Sequence, residues 1–330
     1  MSSPFPKSSS LPGAGRIVVK LAPNNISAPE SITYQYPLKL ISPSSVAEQG
    51  SVLVFLLSYG GGLVSGDQIN LSIDIHPQAR LSVVTQGHTK IFPSAVQNIV
   101  TRQNLSVEIK TGAALCLLPD PVQPFENSIY EQIQIFKLAA SASMCLLDWV
   151  TQGRTARGEN WSFRRWVGRN EVWSAADAPG AKERLLVRDA VILDSANRPA
   201  GLPSLRESMD GHAIVGTLIL RGPMTRTVGE FFLAEFSALP RLGARDFRSD
   251  ETREKDEAAP QSPIQRWRAA RLAEEKEKQI LWSAANVRGC IVVKFGAATV
   301  EAARNWVGTM LLQEGSIEQH FGEQALMCVR

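Results

Sequence analysis

Leu71-Ser72-Ile73-Asp74-Ile75-His76-Pro77 places apolar side chains at every second position and then stops at a proline. Successive side chains of a strand point to opposite faces, so the segment reads as a strand with one buried face, closed by a turn at His76-Pro77. The same period of two returns at Leu105, Val107 and Ile109, and again at Ile133 and Ile135. Turn residues punctuate the chain at short intervals: Tyr59-Gly60-Gly61-Gly62, Thr111-Gly112, Asp120-Pro121, Gly153, Gly158 and Gly168-Arg169-Asn170. Because no long helical pattern separates the strands between residues 51 and 197, a parallel βαβ fold is disfavoured and a mainly β architecture is expected. Strand and turn repetition alone is compatible with a meander, a sandwich, a barrel or a solenoid.

Outward from this region the composition shifts. Residues 1–30 are rich in Ser, Pro, Asn and Gly and read as a flexible N-terminal arm, followed by a β scaffold over 31–240 with a further strand at 213–220. Residues 241–278 hold ten basic and nine acidic side chains, a density taken to exclude them from any core. Within the unit 241–285, mixed charge up to Pro260 and Pro263 reads as a solvated loop, and residues 264–285 as a helix with Glu274 four before Lys278. The last unit, 286–330, has α/β character, with a short strand over 291–295. Trp306, Val307, Met310 and Leu311 recur there at helical spacing, giving a helix over 300–312.

The chain has 330 residues, 44% apolar and 20% charged, the profile of a folded globular protein. Its formal charge of +3 is too small to imply a polyanionic partner, so any electrostatic role must be local. Cys116, Cys145, Cys290 and Cys328 lie far apart with no C-x-x-C pair, which reads as a reducing, cytoplasmic setting without a zinc knuckle. Neither a secretory leader nor a membrane-spanning stretch is visible.

Local catalytic signatures are missing: there is no P-loop, no G-x-S-x-G elbow and no H-E-x-x-H helix, so enzyme classes that carry such signatures are disfavoured. Only four histidines occur. Asp74 and His76 share a strand face and could offer oxygen and nitrogen to a borderline ion such as nickel, against the plainer reading of a surface strand end. His88 lies in the polar run Thr85-Gln86-Gly87-His88-Thr89-Lys90, which is either an exposed face or a lined channel. Residues 154–169 interleave Arg154, Arg157, Arg164, Arg165 and Arg169 with Trp161, Phe163 and Trp166. Single-stranded nucleic-acid binding is the functional alternative for this pattern; core packing of the rings with paired arginines is the structural one.

Several motifs join into one ordered set: Gly61-Gly62-Leu63-Val64-Ser65-Gly66-Asp67, Thr85-Gln86 with Thr89-Lys90, Leu118-Pro119-Asp120-Pro121-Val122-Gln123-Pro124-Phe125, Asp148, Gly153-Arg154, Gly158-Glu159 and Val287-Arg288-Gly289. From about residue 35 onward this set resembles the urease accessory protein UreD (UreH) family, most of all its eukaryotic branch. Two departures stand out: Val84 replaces a threonine common in the family, and Gly87-His88 replaces small residues.

The resemblance implies a stacked-strand, β-helical scaffold with a few C-terminal helices. It also implies a non-catalytic role in urease maturation: binding apo-urease together with UreF, receiving the GTPase UreG through that complex, and passing nickel, transiently held, along an internal water-filled passage. No tightly bound cofactor, nucleic acid or membrane partner is implied. By motif position, Asp67, Asp148 and Glu159 are the expected passage or interface carboxylates. Arg154 would orient one of them, with Thr85, Gln86 and Lys90 lining the wall and Gly61, Gly62, Gly66, Pro119, Gly153 and Gly158 shaping the turns. The apolar C-terminal helices are the expected contact for UreF.

Overall fold

The computed structural model describes residues 11–43, 50–94, 96, 99–176, 182–197, 199, 201–239 and 262–330. Between residues 52 and 174 the longer strands alternate between two sheets. Strands β6 (Gln68–Ile75), β9 (Thr101–Ile109), β12 (Ile129–Leu138) and β14 (Arg165–Ser174) lie side by side in a seven-stranded sheet, while β4 (Val52–Ser58), β7 (Arg80–Val84), β10 (Ala114–Leu117) and β13 (Ser143–Thr151) lie side by side in an eleven-stranded sheet. These neighbours are parallel within each sheet, so the chain winds as a two-sided β-helix, the stacked-strand scaffold expected.

Register explains why the winding is stable. Val52, Leu81, Leu115 and Met144 pair in one row, and Val54, Val83, Leu117 and Leu146 in the next. Across the interior, Ile17, Ile73, Val107, Phe136 and Val172 form a facing row. All these side chains are buried in one core, each contributing about 1.5–3 kcal/mol on leaving water.

The expected N-terminal arm is corrected from Ala14 onward. β1 (Ala14–Leu21) pairs in parallel with β6 and antiparallel with β2 (Ser27–Tyr34), because Ile17, Val18 and Val19 supply enough apolar surface to extend the sheet. Residues 1–10 lie outside the described residues.

Antiparallel strands finish the winding: β15 (Arg184–Asp194) on one sheet, and β16 (Ile214–Arg221), β18 (Cys290–Ala297) and β17 (Leu281–Val287) on the other. The remaining strands are β3 (Leu38–Ile41), β5 (Gly62–Leu63), β8 (Thr89–Ile91) and β11 (Val122–Pro124). The helices are α1 (Leu205–Ser208), α2 (Arg226–Ser237), α3 (Pro263–Glu277), α4 (Val300–Glu314) and α5 (Ser316–Phe321). A second core lies on the outer face of the eleven-stranded sheet, where Phe232 of α2 and Trp306 of α4 meet Trp282 and Phe295.

Two expectations about the charged unit change. The helix ends at Glu277, and 281–287 is strand β17, since Leu281 to Val287 pairs along β18 and buries Trp282 and Ala284. The charged segment also does reach a core: Arg271 and Glu275 are buried. Glu235 accepts hydrogen bonds from Arg268 (2.6 and 2.9 Å) and Arg271 (3.1 Å), Arg271 donates to Glu275 (2.8 Å), and the Trp306 indole donates to Glu275 (2.8 Å). Mutual pairing is what lets these charges leave water. The loop expected before Pro260 falls in 240–261, outside the described residues. Helix α4 turns Ala302, Ala303, Trp306, Val307, Met310 and Leu311 into the second core, so the apolar face expected to dock a partner packs against the molecule itself. Among its described large apolar side chains, Leu312 is the exposed one.

Candidate functional site

At one end of the winding the interior rows turn polar. Ile69 is followed across the sheet by Gln103 and then Gln132, and Leu71 and Leu105 by Gln134 and Asn170. In β12 the buried face therefore carries Tyr130, Gln132, Gln134, Phe136 and Leu138, whereas Ile133 and Ile135 are only half-buried. The alternation expected for this strand is real but its polar half faces inward. Burial of amides is tolerable because each finds a partner.

These partners converge on Asp148, buried on the inner face of β13. Gln132 donates to one carboxylate oxygen (2.9 Å) and Asn170 to the other (2.7 Å). Behind them, the Tyr130 hydroxyl donates to Gln132 (3.1 Å) and Gln134 donates to Asn170 (2.9 Å). Burial pushes the Asp148 carboxyl up to about 6, aided by the Asp189 charge and opposed by the Asn170 and Gln132 hydrogen bonds and by Lys294.

Asp120 is the second buried carboxylate, set between Pro119 and Pro121. The Thr85 hydroxyl (3.0 Å) and the Gly87 backbone N–H (2.8 Å) donate to one oxygen, and the Arg304 guanidinium of α4 donates to the other (2.7 Å). Thr85 Oγ1 accepts the Asp120 backbone N–H in return (2.7 Å), and the Cys328 thiol donates to the Thr85 carbonyl (3.4 Å). Burial pushes the Cys328 thiol up to about 11, so it stays protonated at neutral pH. Burial also lowers His88 below the ordinary imidazole value against the pull of Asp120, which favours its neutral form.

Both carboxylates border one internal cavity of about 30 Å³, together with Thr85, Thr89, Gln103, Gln132 and Gln134, room for a water molecule. Thr85 and Asp120 also line an outer pocket of about 630 Å³ with Gln86, His88, Lys90, Arg304 and Cys328. A neighbouring pocket of about 280 Å³, bordered by Lys39, Tyr59, Gly61 and Gln86, shares Thr85, Thr89 and Gln103 with the cavity. On the far side Asp148 also borders a groove of about 500 Å³ with Asp189, Thr217 and Lys294. There Lys294 Nζ lies 2.5 Å from Asp189 and 3.5 Å from Thr217 Oγ1. The polar interior is thus walled at both ends by a carboxylate shared with a wider opening.

Of the residues selected from sequence, the structure gathers Thr85, Gln86, His88, Lys90 and Asp148 at these cavities. Asp67 lies elsewhere: it accepts the Val64 N–H (2.9 Å) and closes the turn before β6, beside Gly66. Arg154 and Glu159 form a tight pair, with Arg154 Nε at 2.9 Å and the Arg154 backbone N–H at 2.7 Å from the carboxylate, and the guanidinium 3.8 Å from the Phe125 ring centre. Burial would raise the Glu159 carboxyl, but the side-chain and backbone hydrogen bonds from Arg154 hold it below the ordinary value. Gly153 and Gly158 have positive φ (111° and 76°), which this loop needs to turn back on itself. Asp74 pairs with Arg16 (2.8 Å) while His76 is exposed past the strand end, and no group of three or more potential metal-ligating side chains occurs among the described residues. Trp161, Phe163 and Trp166 are buried in the first core, which removes their faces from base stacking.

Asp120, Gln132, Gln134, Asn170 and Arg304 were not among the candidates. Asp120 lies within the motif Leu118 to Phe125, and its position between two prolines is the available signal; the two glutamines lie in a strand whose period of two does not say which half is inside. Arg304, 184 residues from Asp120, had no sequence signal.

The fold and site define a two-sheet β-helical scaffold with its polar groups gathered at one end of an apolar interior. The chain belongs to the UreD urease accessory protein family, whose model matches residues 13–329. A relative from Schizosaccharomyces pombe named uncharacterized urease accessory protein ureD-like is 32% identical, covering 87% of this chain and 89% of its own. Urease accessory protein 4 of Cryptococcus neoformans is 29% identical over 85% and 84%, and urease accessory protein D of Arabidopsis thaliana 32% identical over 65% and 69%. The family match begins at residue 13, so it takes in β1, earlier than the residue 35 where the motif set starts. No helix among the described residues is long and apolar enough to cross a membrane.

Proposed function

We propose that this protein is a non-catalytic scaffold of urease maturation that binds apo-urease with UreF, receives UreG through that complex, and conducts nickel in transit through its polar interior. The relatives' names support the urease assignment. The observation that carries the passage is the pair Asp120 and Asp148, each shared between the internal cavity and a wider opening. A divalent ion in a low-dielectric interior needs oxygen ligands along its route, each weak enough to release it. Two separated carboxylates with neutral amides and hydroxyls between them meet both needs better than a closed cage. Asp67 and the Arg154–Glu159 loop remain interface candidates, and Leu312 is the outward apolar residue left for UreF on α4. Four reduced, buried cysteines support a cytoplasmic site of action.

The test is co-expression of urease and its accessory proteins with wild-type or variant chain at limiting nickel. Asp148→Asn and Asp120→Asn should lower urease nickel content by about tenfold or more, since removing one charge from a buried route costs at least ~1.4 kcal/mol. Wild-type loading by both variants at equal protein level removes the passage.

A further inference from the structure

Arg304 occupies the position a cation would need. Its guanidinium lies 2.7 Å from the free oxygen of Asp120, whose other oxygen is already held by Thr85 and Gly87. The outer pocket around this pair holds Lys90 and Arg304 against Asp120 as its described charged lining, so its local balance is positive. A pocket so charged repels a divalent ion, although the carboxylate at its floor is the group that would bind one.

We propose that Arg304 is an intramolecular counter-ion that closes the outer pocket to divalent cations and must leave Asp120 before an ion can pass. The inference rests on the passage reading and names its closing residue. Arg304 is 28% exposed whereas Asp120 is 6% exposed, so the arginine can swing out while the carboxylate stays fixed by its hydrogen bonds. Its helix is also a connected element: Trp306, two residues on, donates to Glu275 of α3, which is paired through Arg271 to Glu235 of α2. These bonds tie the helix that carries Arg304 to α2 and α3.

The experiment is titration of Ni2+ alone into the full chain by calorimetry in low-salt buffer. Arg304→Gln should tighten Ni2+ binding by on the order of tenfold or more, through removal of a cation from the binding oxygen. Arg304→Lys should stay as weak as wild type, and Arg304→Gln with Asp120→Asn should lose the gain. A purely structural ion pair would lower thermal stability in Arg304→Gln without raising Ni2+ affinity, and that result overturns the proposal; so does tightening that survives in the double variant. The passage reading fails separately: normal urease loading by both Asp148→Asn and Asp120→Asn alongside tighter Ni2+ binding by Arg304→Gln removes the passage and keeps the counter-ion.

Discussion

At the residue scale, Asp148 is a carboxylate surrounded by amides in place of water. Its carboxyl titrates at about 6 in the folded chain against an ordinary 3.8, because burial disfavours the charged form. A raised carboxyl pKa means that the folded state holds the proton more tightly than the unfolded state. The group therefore favours folding fully at low pH and loses that contribution as pH rises from about 4 through about 6. The shift is worth about 3 kcal/mol at most, at ~1.36 kcal/mol per unit. Asn at 148 carries no proton to release, so Asp148→Asn should gain stability relative to wild type by up to that amount between about pH 4 and 7. Paired urea titrations across this range measure the difference, and parallel curves would show that the amides compensate the ionised form in full.

At the element scale, helix α3 illustrates how charge density misleads. Its sequence reads as solvated because nineteen of 38 residues across 241–278 are ionic, yet Arg271 and Glu275 are buried. What the local sequence omits is Glu235, 36 positions away on α2, which holds Arg268 and Arg271. Glu235→Ala leaves the Arg271 guanidinium buried with one partner fewer and should cost about 3–5 kcal/mol in urea unfolding. The fully solvated pair Arg226–Glu230 is the control: Arg226→Ala should leave the urea midpoint where it is. Strand β12 carries the matching lesson for polarity. A period of two specified that one face is uniform, but only pairing with β9 and β14 put Gln132 and Gln134 on the inside.

At the scale of the whole molecule, two cores share the eleven-stranded sheet, with Met144, Leu146 and Val150 of β13 in the first and Cys145, Leu147 and Trp149 in the second. A sheet buried on both faces needs its helical cover to stay out of water. Deleting residues 299–330 removes α4 and α5 and uncovers the second core, so the truncated chain should lose soluble yield and near-ultraviolet ellipticity even before any partner is tested. A soluble truncation with native ellipticity would mean that the winding is stable without its helices. The amino-acid sequence by itself determined that the chain is mainly β, where most of its turns fall and that its ordered motifs place it near one family, because these are local signals of period two, glycine and proline. It also set the helix over the C-terminal apolar spacing. The tertiary structure alone decided that residues 14–34 join the sheets, which half of β12 faces inward, that Asp120 and Asp148 border one internal cavity, and that Arg304 reaches Asp120. Each of these depends on register between strands or on contacts between residues far apart in the chain, and a pattern read along one segment carries no record of what lies across from it.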